Sequence, residues 1–422
     1  MAPLSPADVQ TLRAGSAPLN LSVAANVSAD AFKSPHTLGK PRARPMDHHF
    51  SMESAGFRGS AMKKSASVVS ARKVIPLGAG RPTANYYPWN DLAFEGMRPA
   101  LQSLPDESPG DAPHMQTASK EGVDYNLSLV LNYGGASGSP HLLRFITEHI
   151  EMEYTYPGAL EGARQLDLHV HGIQMDREGA RADDLARLLD TWDLARGLKP
   201  RLHYMIPSGQ NPTGTTQSLA RRREIYQVAE EHDLLVIEDD PYYFLRAGTR
   251  GEESDRNARV PSYVSLDKSG RVVRLDSTSK ILAPGLRVGW QEVSTVSVTG
   301  PSQWMTWKLL DECWGHQGFL DWLDSLSLEY RFRRDILLDA CNRYLPKEIC
   351  SWVEPVYGMF LWICLDWQKH PRFQASIAQK DHQCQIVEIE SNILLTAFFN
   401  GVQVTPDSLF GCNSALHQAL HF

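Results

Sequence analysis

The sequence predicts an α/β protein: a mainly parallel sheet sandwiched by helices, with a smaller α+β domain. Three observations carry this expectation. From residue 166 short apolar runs alternate with stretches of helical spacing. Polar, chemistry-bearing residues collect at the ends of those runs. After residue 300 the pattern changes to long amphipathic helices followed by a short β segment. Strand, helix, strand in this rhythm implies parallel pairing through crossover helices.

Residues 1–72 are rich in Ser, Ala, Lys, Arg and His with few sustained apolar patterns, so a poorly packed, partly disordered extension is expected. Residues 73–120 read as the N-terminal segment of the smaller domain. There "VIPLGAGRPTANYYPW" suggests a short strand entering a Gly/Pro turn, and "LPDESPGDAPHM", residues 104–115, a loop. Residues 121–300 form the large domain. Its expected strands are "LDLHVHGIQ", "RLHYMIP", "LLVIEDD" and "RVVRLDS", and its expected helices "DDLARLLDTWDLARG" and "SLARRREIYQVAEEHD". Residues 301–422 return to the smaller domain, with helices over "WMTWKLLDECW" and "FLDWLDSLSLEYRFRRDILLDACNRYL" and a β unit around "GMFLWICLDW". No internal repeat is visible.

At 422 residues the chain can bury two cores, and its 42% hydrophobic and 22% charged content is ordinary for a globular protein. The formal charge of -7 argues against nucleic acid as a partner, because phosphate binding needs a basic face. Six cysteines without a CxxC pair fit reduced thiols in the cytoplasm rather than a disulfide framework. No apolar run approaches the ~20 residues of a membrane span. The opening "MAPLSPADVQTLRAG" lacks the basic-then-apolar layout of a secretory signal. The first 45 residues are Ser/Ala-rich and slightly basic, as in a mitochondrial presequence, but Asp8 and Asp30 argue against one. Cytoplasm is the expected location.

In open α/β sheets ligands bind beyond the carboxyl ends of the strands, and three such ends are rich in chemistry. In "MIPSGQNPTG" a strand enters a turn where Pro212 and Gly214 fix the backbone and Asn211 precedes the proline. A plain Asn-favouring turn would explain this end alone. In "LLVIEDDPYYF" an apolar run ends in Glu238, Asp239 and Asp240, with Tyr242 close behind. A carboxylate there loses hydration and needs a partner; an exposed acidic loop would not require the phenol. In "DSTSKILAPGLRVGW" Lys280 follows Ser277, Thr278 and Ser279, and Arg287 follows a Pro-Gly turn. A solvated lysine is the ordinary alternative. Together the three ends supply an amine, a carboxylate, a phenol, an amide, hydroxyls and a guanidinium, the set that pyridoxal phosphate requires.

The order "NPTG", "EDDPYY", "STSK", "APGLRVGW" resembles the PLP-dependent aminotransferases of fold type I, class I/II. It is most similar to their fungal aromatic-amino-acid and α-aminoadipate/kynurenine branch. "LGAGRP" from 77, "LNYGGASGSPHLLR" from 131, "EYTYPGALE" from 153, "LLDECWGHQGFLDWL" from 309 and "PVYGMFLWI" from 355 extend the resemblance over residues 73–400. It implies a pyridoxal 5'-phosphate transaminase moving the amino group of an aromatic or similar L-amino acid to a 2-oxo acid such as 2-oxoglutarate. Lys280 would be the Schiff-base lysine and proton carrier, and Asp239 the partner of the pyridine nitrogen. Asn211 and Tyr242 would hold the ring oxygen, and Ser277 and Arg287 the phosphate. Tyr156 would lie against the ring, and Tyr133 would reach the site across the interface of a homodimer. The turn from Gly78 to Pro82 would face the substrate.

Three departures accompany the resemblance. "RFITEHIEM" runs directly into "EYTYPG", where the family has a Ser/Gly turn at a helix N-terminus for the phosphate, then a strand. "GLRVGW" runs directly into "QEVSTVSVTGPSQ", without the family's interdomain helix. No arginine follows Arg372, where the family carries one for the substrate carboxylate. The chain therefore reads as internally and C-terminally shortened. This keeps open a catalytically impaired PLP-binding relative, or the product of a faulty gene model. A transcription regulator with an aminotransferase-like domain would need a helix-turn-helix module, and residues 1–72 show no paired amphipathic helices.

Overall fold

A computed structural model of the chain describes residues 5–16, 18–19, 31–33, 44–49, 52, 86–97, 114–122, 126–132, 134, 138–152, 171–251, 259–286, 288–290, 299–370, 379–405 and 420–421. In chain order the first half holds α1 (Pro6–Ala14), β1 (Asp91–Gly96), β2 (His114–Ser119), α2 (Leu127–Val130) and α3 (Pro140–Met152). Next come β3 (Met175–Asp176), β4 (Gly179–Ala180), α4 (Ala182–Asp190), β5 (Leu202–Met205), α5 (Leu219–Glu231) and β6 (Leu235–Asp239). Then follow α6 (Tyr263–Leu266), β7 (Val272–Ser277), β8 (Gly289–Trp290), α7 (Gly300–Trp307) and α8 (Gly315–Tyr344). The chain closes with β9 (Cys350–Trp352), β10 (Ile363–Leu365), α9 (Gln379–Phe399) and β11 (Leu420–His421).

Contacts divide the chain into two compact units, Met1–Pro157 with Asp267–Leu326, and Gly158–Leu266 with Ser327–Phe422. The sequence pattern places borders near residues 72, 120 and 300.

In the first unit, β1 and β2 pair antiparallel from Asp91 opposite Ser119 to Gly96 opposite His114. Leu127, Val130, Leu142, Ile146, Trp304 and Trp307 form its core, with Phe94 edge-on to Trp304 at 5.5 Å between ring centres. Lys308–Trp314 forms a π-helical turn between α7 and α8, where the sequence suggested plain helix. β7 and β8 pair antiparallel, Ser277 opposite Gly289.

The expectation of a poorly packed arm does not hold for residues 6–14. Ser5 caps α1: its hydroxyl accepts from the Asp8 N–H, the Asp8 carboxylate accepts from the Ser5 N–H at 2.8 Å, and Pro6 stands at the first turn. Val9 is buried, and the Arg13 guanidinium bonds both Glu148 on α3 and, at 2.6 Å, Asp311 in the π turn. Burial would raise the Glu148 carboxyl, but hydrogen bonds from His316 and Arg13 outweigh it and hold the group below the usual carboxylate range.

In the second unit, β5 and β6 pair parallel, Leu202 opposite Leu235 and Met205 opposite Glu238, as the βαβ rhythm predicts. The helix joining them, α5, is capped by Ser218, whose hydroxyl accepts from the Arg221 N–H at 3.2 Å. Its Ile225 and Ala229 are wholly buried. β9, β10 and β11 form a small antiparallel sheet. Leu365, Trp367, Ile386 and Ile389 make a core between it and α9. Two sequence expectations need correction. Residues 171–174 of the suggested strand "LDLHVHGIQ" are not strand, and its residues 166–170 lie outside the described ones. His114 and Met115, suggested as loop, begin β2, because pairing with β1 satisfies their backbone.

Candidate active site

The residues singled out from sequence fall into one group in each unit. In the second unit, the turn after β5 is built by its own side chains. Gln210 N–H donates to the Thr215 carbonyl at 2.8 Å, and the Thr213 hydroxyl donates to Gln210 Oε1 at 2.6 Å. Gly209 has φ 56° and Gly214 φ 67°, the left-handed region that glycine tolerates. A Cβ on Gly209 would lie 2.7 Å from the Tyr357 carbonyl, and one on Gly214 2.6 Å from the Phe360 carbonyl. The motifs "SGQNPTG" and "VYGMF" are therefore pressed backbone to backbone, and Asn211 sits half-buried in the turn they share.

The three consecutive acids at the end of β6 are all buried but have different partners. Glu238 accepts from the Ser262 hydroxyl at 2.6 Å and the Tyr263 N–H at 3.1 Å, with the Arg222 guanidinium 3.8 Å away. Asp240 accepts from the Ser208 hydroxyl at 2.8 Å. Asp239 accepts from the phenol of Tyr204 on β5. Glu238 and Asp240 are thus tied to the scaffold, and side-chain alternation turns Asp239 to the opposite face from Glu238. Tyr242 is buried three residues further on, edge-on to Phe360 at 5.3 Å.

In the first unit, Lys280 lies half-buried in the turn after β7. That turn is closely held. Thr278 bonds the Val288 carbonyl through its N–H at 3.0 Å and its hydroxyl at 2.9 Å, and Leu282 N–H reaches the Thr278 carbonyl at 2.8 Å. The Trp322 indole donates to the Ile281 carbonyl at 2.7 Å. Ser277 is buried, donates to the Ser279 hydroxyl at 2.7 Å and accepts the Ser279 N–H at 2.9 Å. The hydroxyls of Thr278 and Ser277 are therefore used to shape the turn. Arg287, Tyr133, Tyr156 and the Gly78–Pro82 turn lie outside the described residues, as do the first junction's "EYTYPG" and residues 291–298 at the second.

Sequence reasoning missed Tyr204 and Arg222. Two-residue alternation along "LHYM" and "LVIED" would have put Tyr204 on the face of Asp239. No comparable signal marked Arg222 within the run Arg221–Arg223.

A family model for aminotransferase class I and II matches residues 205–416. The aminotransferase swnA of Metarhizium robertsii is 41% identical over 89% of this chain and 86% of its own length. The chain belongs to the class I and II aminotransferases.

An aromatic amino acid aminotransferase of Schizosaccharomyces pombe is 32% identical over 90% of this aminotransferase and 94% of its own length. A solved Candida albicans aminotransferase matches with a TM-score of 0.77 at 31% identity, over 91% of this chain and 94% of the other. The fold is accordingly that of fold-type I, and the protein is an enzyme acting on amino and oxo acids. The swnA alignment runs over 438 positions yet matches only 89% of this chain, so positions of the relative are absent here. Within the second unit the buried Asp239 carboxylate and the buried Tyr242 phenol are groups of the kind pyridoxal phosphate takes.

Proposed function

We propose that this aminotransferase uses pyridoxal phosphate to move the amino group of an aromatic or similar L-amino acid to a 2-oxo acid such as 2-oxoglutarate. The observation that carries the cofactor reading is Asp239, a buried carboxylate turned away from its structural neighbour Glu238, with Tyr242 following it. The substrate class is supported by relatives named for it, among them an L-tyrosine:2-oxoglutarate aminotransferase of Tapinella panuoides at 31% identity over 79% of this chain and 76% of its own length.

When bound, the cofactor supplies an electron sink through its protonated ring nitrogen. Asp239 balances that charge. Asn211 and Tyr242 would hold the ring oxygen. The Lys280 amine would hold the cofactor through its aldehyde carbon and would carry the proton to and from the substrate Cα. By the family resemblance Ser277 and Arg287 would bind the phosphate, Tyr156 would lie against the ring and Tyr133 would come from a second subunit, so that the working form would be a homodimer. A cytoplasmic location goes with this reading: among the described residues no helix is long and apolar enough to cross a membrane, and Cys313, Cys341, Cys350 and Cys364 are unbridged.

Titration of the purified protein with pyridoxal phosphate, followed by a half-reaction with tyrosine or phenylalanine, tests the function. Conversion of the bound cofactor to its amine form is expected; conversion with aliphatic donors alone would remove the aromatic assignment. Borohydride should fix the cofactor's mass on the peptide containing Lys280 and leave none on Lys280→Ala. Sedimentation of the loaded enzyme as a monomer would overturn the dimer.

A further inference from the structure

Tyr204 on β5 stands opposite Ile237 on β6 in the parallel ladder. Side chains alternate along a strand, so Tyr204, Ile237 and Asp239 share one face. His203, Met205, Val236 and Glu238 share the other, towards the buried Arg222. On the first face the Tyr204 phenol donates to Oδ2 of Asp239. Tyr204 is half-buried and Asp239 is 4% exposed. None of the motifs shared with the family gives Tyr204 a role.

The strand fixes the Asp239 backbone but leaves its headgroup a broad torsion to settle. A phenol bonded to an ionised oxygen settles it, because charge-assisted hydrogen bonds are short and strong. Glu238 needs no such help, being held by Ser262 and Tyr263. We propose that Tyr204 is a positioning residue for Asp239, its phenol fixing the carboxylate that faces the cofactor's ring nitrogen. Tyr204 acts this way only if Asp239 has the role given above. A tyrosine that merely packs in the strand would keep its worth without the hydroxyl.

The test compares wild type, Tyr204→Phe, Asp239→Asn and the double variant. Each apoprotein is titrated with pyridoxal phosphate, the spectrum of the bound form is recorded, and kcat and KM for tyrosine are measured. Tyr204→Phe should bind the cofactor about tenfold more weakly, as for loss of a hydrogen bond to a charged group. Its kcat should fall with KM little changed. Asp239→Asn should bind more weakly still, and the double variant no more weakly than Asp239→Asn, since both changes act on one interaction. Additive losses, or wild-type behaviour of Tyr204→Phe beside a weakened Asp239→Asn, overturn the role of Tyr204 alone. Wild-type binding by Asp239→Asn overturns the reading of Asp239 and that of Tyr204 with it. Should Tyr204→Phe fail to fold, 3-fluorotyrosine at position 204 keeps the shape and alters only the phenol. A changed spectrum of the bound cofactor then supports the role, and an unchanged one overturns it.

Discussion

Arg222 and Glu238 face each other across 3.8 Å with both side chains wholly shielded from solvent. Arg222 also donates to the Gln217, Pro261 and Pro207 carbonyls and, at 2.9 Å, to the Ser208 hydroxyl. One guanidinium thus ties α5 to the loops that follow both β5 and β6. Removing one partner of a buried pair strands the other charge, at a cost of about 3–5 kcal/mol. Arg222→Ala should lower the unfolding free energy by that amount in urea denaturation. Adding Glu238→Gln should then cost less than its effect in the wild type, because the stranded charge is gone.

Gly209→Ala should destabilise the second unit. The left-handed backbone alone costs a non-glycine residue about 1–3 kcal/mol. The new Cβ would also meet backbone rather than a movable side chain, 2.7 Å from the Tyr357 carbonyl. A melting temperature lower by several degrees is expected in calorimetry, and an unchanged one would contradict the close approach.

His203 is buried, its Nε2 has no hydrogen-bond partner among the described residues, and loss of hydration pushes its imidazole down to about 4. The unfolded chain, with an imidazole near 6.5, therefore takes up the proton first. The contribution is complete at neutral pH and is lost as pH falls from about 6.5 towards 4, by roughly 3 kcal/mol at the acid end of that window. Urea denaturation at pH 7 and pH 4.5 should show a smaller difference in His203→Phe than in wild type.

Arg13→Ala should free α1. The substitution removes two ionic contacts, to Glu148 and Asp311. Limited proteolysis at neutral pH, read by mass spectrometry, should cut within residues 6–14 of the variant and spare them in wild type.

The parallel pair β5 and β6 and the helix α5 were legible because apolar runs, helical spacing and turn residues agreed on their limits. The capping box "SPAD" before α1 was equally legible in principle, but the polar composition around it outweighed a nine-residue helix. The π turn could not be read, since its apolar spacing does not differ from that of an α-helix over one turn. Among the candidate site residues, Asn211, Asp239, Tyr242, Ser277 and Lys280 announce themselves by standing where apolar runs stop. Arg222 does not: of three consecutive arginines only the middle one is wholly buried, and a basic run reads as a solvated face. Tyr204 hides for the opposite reason, because tyrosine in a strand is ordinary packing.

The backbone of Gly209 rests against that of Tyr357, far downstream in the same chain. A ribosome therefore delivers the "SGQNPTG" turn long before it delivers the surface that shapes it. Until α8 and the segment beyond it have emerged, the loop that carries Asn211 has half of its mould missing. A nascent chain arrested ahead of residue 357 lacks the backbone against which Gly209 and Gly214 pack.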